Sequence, residues 1–143
     1  MPFRSFLYEK EIIDTSAEDT NSPVEMTAIT RLDSEMVMNA YAVLINLQSL
    51  LKESLKYIYT KDKSIIPKVL ENRSGYLDAL DQLETLETKK DNKKIIKKIR
   101  TALTRGRNAN FKVFEAVEKG DIKTALKLFN DIVDPTINNV ARL

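Results

Sequence analysis

Glu115-Ala116-Val117-Glu118-Lys119-Gly120-Asp121-Ile122-Lys123-Thr124-Ala125-Leu126 decides the fold. It closes one amphipathic helix, turns on Gly120-Asp121 and opens another. Glycine takes the left-handed position beyond a helix C-terminus at least cost, and aspartate is a preferred N-cap. A turn this short forces the flanking helices antiparallel. Upstream punctuation repeats the pattern. Ser22-Pro23-Val24-Glu25 reads as a capping box with proline at the first helical position. Tyr59-Thr60-Lys61-Asp62-Lys63-Ser64 reads as a turn with Asp62 or Ser64 as the next N-cap, and Asp91 or Asn92 as the cap of a third helix.

Between these marks the apolar residues keep helical spacing. Helix 1, from Pro23 to about Tyr59, carries Ile29, Leu32, Met36, Ala40, Val43, Leu47 and Leu50 on one seam. Val37, Leu44, Leu51 and Ile58 form a second. Two seams exceed what one partner helix covers, so helix 1 is either central or meets a second subunit. Helix 2 presents Ile66, Val69 or Leu70, Tyr76, Leu80 and Leu83, ending near Glu87. Helix 3 presents Ile96, Ile99, Leu103, Gly106, Asn110, Val113 and Val117. Helix 4 presents Ile122, Leu126, Phe129, Val133, Thr136, Val140 and Leu143, with Pro135 expected to kink it or end its regular part. No strand pattern is visible. The expected fold is all-α, an antiparallel up-down-up-down four-helix bundle with a long first helix. It occupies residues 23–143, behind a poorly structured or short-helical extension, 1–22.

Composition narrows the chemistry. The chain of 143 residues has no cysteine and no histidine. Disulfides, thiolate or imidazole metal ligands, and histidine- or cysteine-based acid–base and nucleophilic catalysis are therefore absent. No other catalytic motif stands out, so the expectation is a non-enzymatic protein with no cofactor and no metal. Net charge is +2 but unevenly spread. Residues 1–88 carry −6, residues 89–113 carry +9 and residues 114–143 carry −1, so helix 3 is strongly basic. The longest uncharged run, Met36 to Leu51, is too short and too polar to span a bilayer.

Over residues 23–143 the chain resembles the four-helix-bundle ligand-binding domain of bacterial chemoreceptors, the methyl-accepting chemotaxis proteins, and of related sensor kinases. The resemblance lies in the long first helix, "YTKD" at Tyr59 to Asp62, "YLDALDQL" in helix 2 and "EAVEKGDIKTALKLFNDIVDP" across the last turn. It implies a periplasmic or extracytoplasmic sensor for a small-molecule ligand. It further implies a homodimer through helix 1 that passes a helix displacement to a cytoplasmic signalling domain. On that reading the chain is an excised module once joined to membrane helices. In the family, acidic ligands are often gripped by arginines near the end of helix 1. Here Lys52, Lys56, Tyr57 and Tyr59 stand there, so that site does not carry over.

A different site suggests itself from helix 3, where Gly106 and Asn110 take consecutive seam positions beside Arg105 and Arg107. A helical glycine costs about 1 kcal/mol and an unpaired buried amide ~1–3 kcal/mol, so some gain should offset them. Counted along the helices from the turns, Asn46, Arg73, Gly106, Asn110, Asn130 and Asp134 fall in one band roughly 14–20 Å down the bundle. The candidate ligand site is a polar layer of Asn46, Arg73, Arg107, Asn110 and Asn130. Its arginines would take a carboxylate bidentately and its asparagines would orient the ligand. The competing account is a satisfied polar layer that fixes helix register, with the arginines reaching solvent.

Two rival functions remain open. Lys89, Lys90, Lys93, Lys94, Lys97, Lys98 and Arg100 could bind a nucleic acid or an acidic protein with steep salt dependence, making the chain a cytoplasmic interaction module. Against nucleic acid, Ile95, Ile96 and Ile99 interrupt the run at core spacing and no aromatic is interleaved for stacking. "GDIKTALKLFNDIVDP" also resembles half of a tetratricopeptide repeat, but a single copy cannot stack.

Overall fold

The structure, a computed structural model, describes residues 23–143, with side chains from residue 33 onward. The expected extension, the Ser22 cap and the seam side chains Ile29 and Leu32 lie outside the described residues. Everything described is helix or short connection, without a strand. Four helical rods follow one another. The first is α1 (Pro23–Thr60), followed by a single 3₁₀ turn (Lys63–Ile65) and α2 (Ile66–Leu86). Then come α3 (Lys90–Glu118) and a last rod made of α4 (Ile122–Leu128), a π turn (Phe129–Val133) and α5 (Asp134–Val140). At 38 residues, α1 is about 57 Å long.

The turns obey the chemistry of their residues. After α3, Gly120 takes φ +78°, and its N–H donates to the Val117 carbonyl at 3.0 Å. The Asp121 N–H reaches the Ala116 carbonyl at 2.8 Å, so two carbonyls at the end of α3 are satisfied in a Schellman arrangement. The same Asp121 accepts from the Thr124 N–H at 3.1 Å and from its hydroxyl at 2.6 Å, capping α4. Asp62 likewise accepts from the Ser64 N–H at 3.0 Å. Both carboxyls are held below the usual carboxylate range, chiefly by the side chains of Ser64 and Thr124 and next by the N–H groups of the same residues. Between α1 and α2, Lys61 takes the left-handed conformation at φ 56°, where glycine would be at ease.

The start of α3 departs from expectation. Neither Asp91 nor Asn92 caps it. Instead Glu87, 2% exposed, folds its carboxylate over the connection and accepts from the Thr88 and Lys89 N–H groups at 3.1 and 3.0 Å. The Asn92 amide donates to the same carboxylate at 3.2 Å. A longer side chain arriving from the end of α2 satisfies these donors, and the helix begins earlier.

The seams meet in one core. Met36, Ala40, Val43, Leu47 and Leu50 of α1 are buried, as are Val69, Tyr76, Leu80 and Leu83 of α2, while Leu70 is exposed. All seven expected seam positions of α3 are buried. Val37, Leu44 and Leu51 are half-buried against the core and Ile58 is fully buried, so the second seam of α1 is largely covered within the chain. The apolar stripe α1 leaves exposed is a third one, Met38, Tyr41 and Ile45.

The last rod is re-registered. Ahead of Pro135 the regular α part ends as expected, at Leu128: the turn before the proline widens, and the Asp134 N–H bonds to the Phe129 carbonyl five residues back. A π turn accommodates a proline that cannot donate and crowds the preceding turn. The extra residue moves the buried line from Phe129 and Val133 onto Ile137 and Val140, leaving Thr136 half-buried.

Side-chain crossings fix how the rods meet. The Asn110 amide donates to the Ser54 hydroxyl at 3.0 Å, and Tyr57 meets Phe114 edge-on at 4.8 Å. Both chain directions therefore advance together in α1 and α3. Asn46 lies against Gly75 across the first connection, and Ile137 and Thr136 lie against Gly106 across the last.

Candidate functional site

Arg73, expected on helix 2, and Arg107 and Asn110, expected at the same level on helix 3, line the same cavity of about 380 Å³. That volume falls within the ordinary range for small-molecule sites. From α2 come Ile66, Val69, Leu70, Arg73 and Tyr76; from α3 come Leu103, Gly106, Arg107, Asn110, Phe111 and Phe114. Leu47 and Leu50 of α1 and Ile137 of α5 complete the apolar lining, and Glu115 and Glu118 stand toward the Gly120 end. Leu70 and Phe111 are 54% and 64% exposed, so the cavity opens between α2 and α3 across two apolar side chains.

Its two cations are without ion-pair partners among the described residues. Arg73 is half-buried and Arg107 exposed. Neither forms an ion pair or hydrogen bond among the described residues, in contrast to Arg100 lower on α3. There the guanidinium is tied to Asp81 and to Glu84, the latter at 2.8 Å. The fields of Arg73 and Arg107 both reach the Tyr76 phenol. Burial pushes that phenol up from 10.0, and the two cations partly oppose the shift. Asn110 is 7% exposed; its Nδ2 is satisfied by Ser54, but its buried Oδ1 has no hydrogen-bond partner among the described residues. An orphaned acceptor of that kind costs ~1–3 kcal/mol. Asn110 thus serves both accounts of the polar layer: one end locks α3 to α1 and the other is left unsatisfied.

Two expected members stand elsewhere. Asn46 donates to the Ala42 carbonyl at 2.8 Å and fills the notch over Gly75, so α1 can approach α2 closely. Asn130 is exposed on the π turn. Counting residues sets height along a rod, whereas azimuth decides which side chains share a cavity; the π turn further rotates the last rod. Two contributors were missed. Ser54 is fully buried and continues the first seam of α1 four residues past Leu50, a signal present in the spacing. Tyr76, a core position by its spacing, also lines the cavity.

On the other side of α3, Lys94, Lys97, Lys98 and Arg105 border a shallow groove against Thr136, Asn139 and Leu143. The lysines are exposed, while Ile95, Ile96 and Ile99 between them are buried.

No family model, curated protein or solved structure matches this chain. Chemistry must carry the reading. Among the described residues no cluster of carboxylates could hold a metal ion, and no helix is long and apolar enough to cross a membrane.

Proposed function

We propose that the chain is a non-enzymatic signal-input domain, an antiparallel up-down-up-down four-helix bundle that binds a small molecule between its two helical hairpins. The observation carrying this reading is the cavity between α2 and α3, with two unpaired arginines and an orphaned buried amide oxygen. One hairpin, α1 and α2, supplies Arg73; the other, α3 with the last rod, supplies Arg107. A ligand gripped by both screens two like charges and draws the hairpins together, shifting α2 relative to α3. That displacement is the kind of output a receptor passes onward. The resemblance to chemoreceptor sensor domains supports the same role, an extracytoplasmic position and a homodimer through α1. The exposed stripe of Met38, Tyr41 and Ile45 offers that dimer an apolar face.

The test is a thermal-unfolding screen at high ligand excess against organic acids, amines and sugars. A ligand that binds only the folded state raises stability by RT ln(1 + [L]/Kd). A shift of several degrees with one chemical class, lost in Arg73→Ala, supports the sensor; no shift with any class refutes it.

The second reading, an interaction module for an acidic protein or nucleic acid, rests on the basic groove of α3. Within that run Arg100 pairs with the α2 carboxylates Asp81 and Glu84. Binding of an anionic polymer that weakens steeply between 50 and 200 mM salt, about as expected for several phosphate contacts, would favour it.

A further inference from the structure

We infer that the cavity takes a monocarboxylate with an apolar body and a hydrogen-bond donor adjacent to the carboxylate, as in a 2-hydroxy acid. The inference rests on the ligand-binding reading above and specifies the chemistry of that site.

Each part of the ligand answers a group in the cavity lining. Arg73 and Arg107 are the unpaired cations of the lining, and planar guanidinium groups pair best with a carboxylate. Asn110 lies three residues above Arg107 on the same helix, about 4.5 Å along the axis. Its Oδ1, buried at the cavity wall with no partner among the described residues, accepts and cannot donate, so a ligand that reaches it meets it with an O–H or N–H close to the carboxylate. Glu115 and Glu118 lie eight and eleven residues above Arg107, about 12 and 16 Å away along the helix. Their charge disfavours a second carboxylate at the far end, which selects a monoanion. Leu50, Val69, Leu103, Phe114 and Ile137 offer apolar contact to the remainder, and the exposed Leu70 and Phe111 would close over it.

The experiment uses the full chain, labelled with ¹⁵N, titrated separately with mandelate, phenylacetate, mandelamide and benzyl alcohol. The amide resonances of Gly106 and Asn110 report occupancy. Mandelate is expected to move them with a Kd at least tenfold below that of mandelamide, which lacks the charge. It should also bind several-fold tighter than phenylacetate, which lacks the donor. Arg107→Gln, at an exposed position that does not threaten folding, should bring mandelate down to the level of mandelamide. Asn110→Ala should erase the gap between mandelate and phenylacetate; if that variant does not fold, the gap in the natural protein tests the donor by itself. Equal binding of mandelate and mandelamide, or cavity shifts with benzyl alcohol alone, overturns the ligand class while leaving a ligand cavity. Unmoved cavity resonances with all four probes overturn both.

Discussion

Two helical glycines should respond to alanine with opposite sign. At Gly106 an added Cβ would sit 3.4 Å from Ile137 Cγ1 and 3.6 Å from Thr136 Cγ2, ordinary van der Waals contact. The helix-propensity gain of about 0.5–1 kcal/mol then stands unopposed, and Gly106→Ala should stabilise by that amount. At Gly75 the same Cβ would lie 2.6 Å from Asn46 Oδ1 and 2.8 Å from its Cγ and Nδ2. Asn46 cannot swing away without giving up its bond to the Ala42 carbonyl at 2.8 Å. Overpacking of this kind costs ~1–3 kcal/mol, so after the propensity gain Gly75→Ala should destabilise by about 1 kcal/mol. The two variants should differ by about 2 kcal/mol, or roughly 4–8 °C in Tm for a chain of this size. Urea unfolding followed by circular dichroism reads the difference. The pair Gly75→Ala with Asn46→Ala should recover at least ~1 kcal/mol relative to additivity, because the second change removes the clash. Equal stabilisation by both alanines, or an additive double variant, would refute the assignment of Asn46 to the notch over Gly75.

Other consequences can be checked on the same instrument. Ser54→Ala should destabilise by ~1–3 kcal/mol, because the buried Asn110 amide then loses its remaining partner; a neutral result would mean the α1–α3 bond contributes nothing. Lys61→Gly should stabilise by up to ~1 kcal/mol by relieving the left-handed conformation at φ 56°, and a loss would contradict it. Asp62 and Asp121 have carboxyls depressed below 3.8, so their contribution is present above that pH and is lost as pH falls through the lower folded value. Acid unfolding of Asp121→Asn should accordingly be flatter than that of the natural protein. Tyr76 behaves inversely: its phenol is raised above 10.0, so its contribution is present below that pH and lost as pH rises through the folded value. Tyr76→Phe should abolish this alkaline component in melts taken above pH 10.

The sequence by itself determined the turns at Asp62 and at Gly120-Asp121, because the deciding chemistry there is local. Gly120 and Asp121 act on backbone groups within a few residues, and so does Asp62. It also determined the buried face of α3 through to Val117, since a regular helix keeps one azimuth per residue. That Arg73, Arg107 and Asn110 share one level of the helices was legible because they lie on regular helices counted from well-marked turns. Tertiary structure decided the rest. Only close packing shows that Asn46 is spent on Gly75 and that Asn110 is half paired and half orphaned. Ile137 replaces Thr136 in the core because a π turn before Pro135 adds a residue to one turn, and a period read from sequence assumes every turn alike. Height along a helix is a count of residues; which side chains face one another across a cavity is set by how whole helices settle against each other.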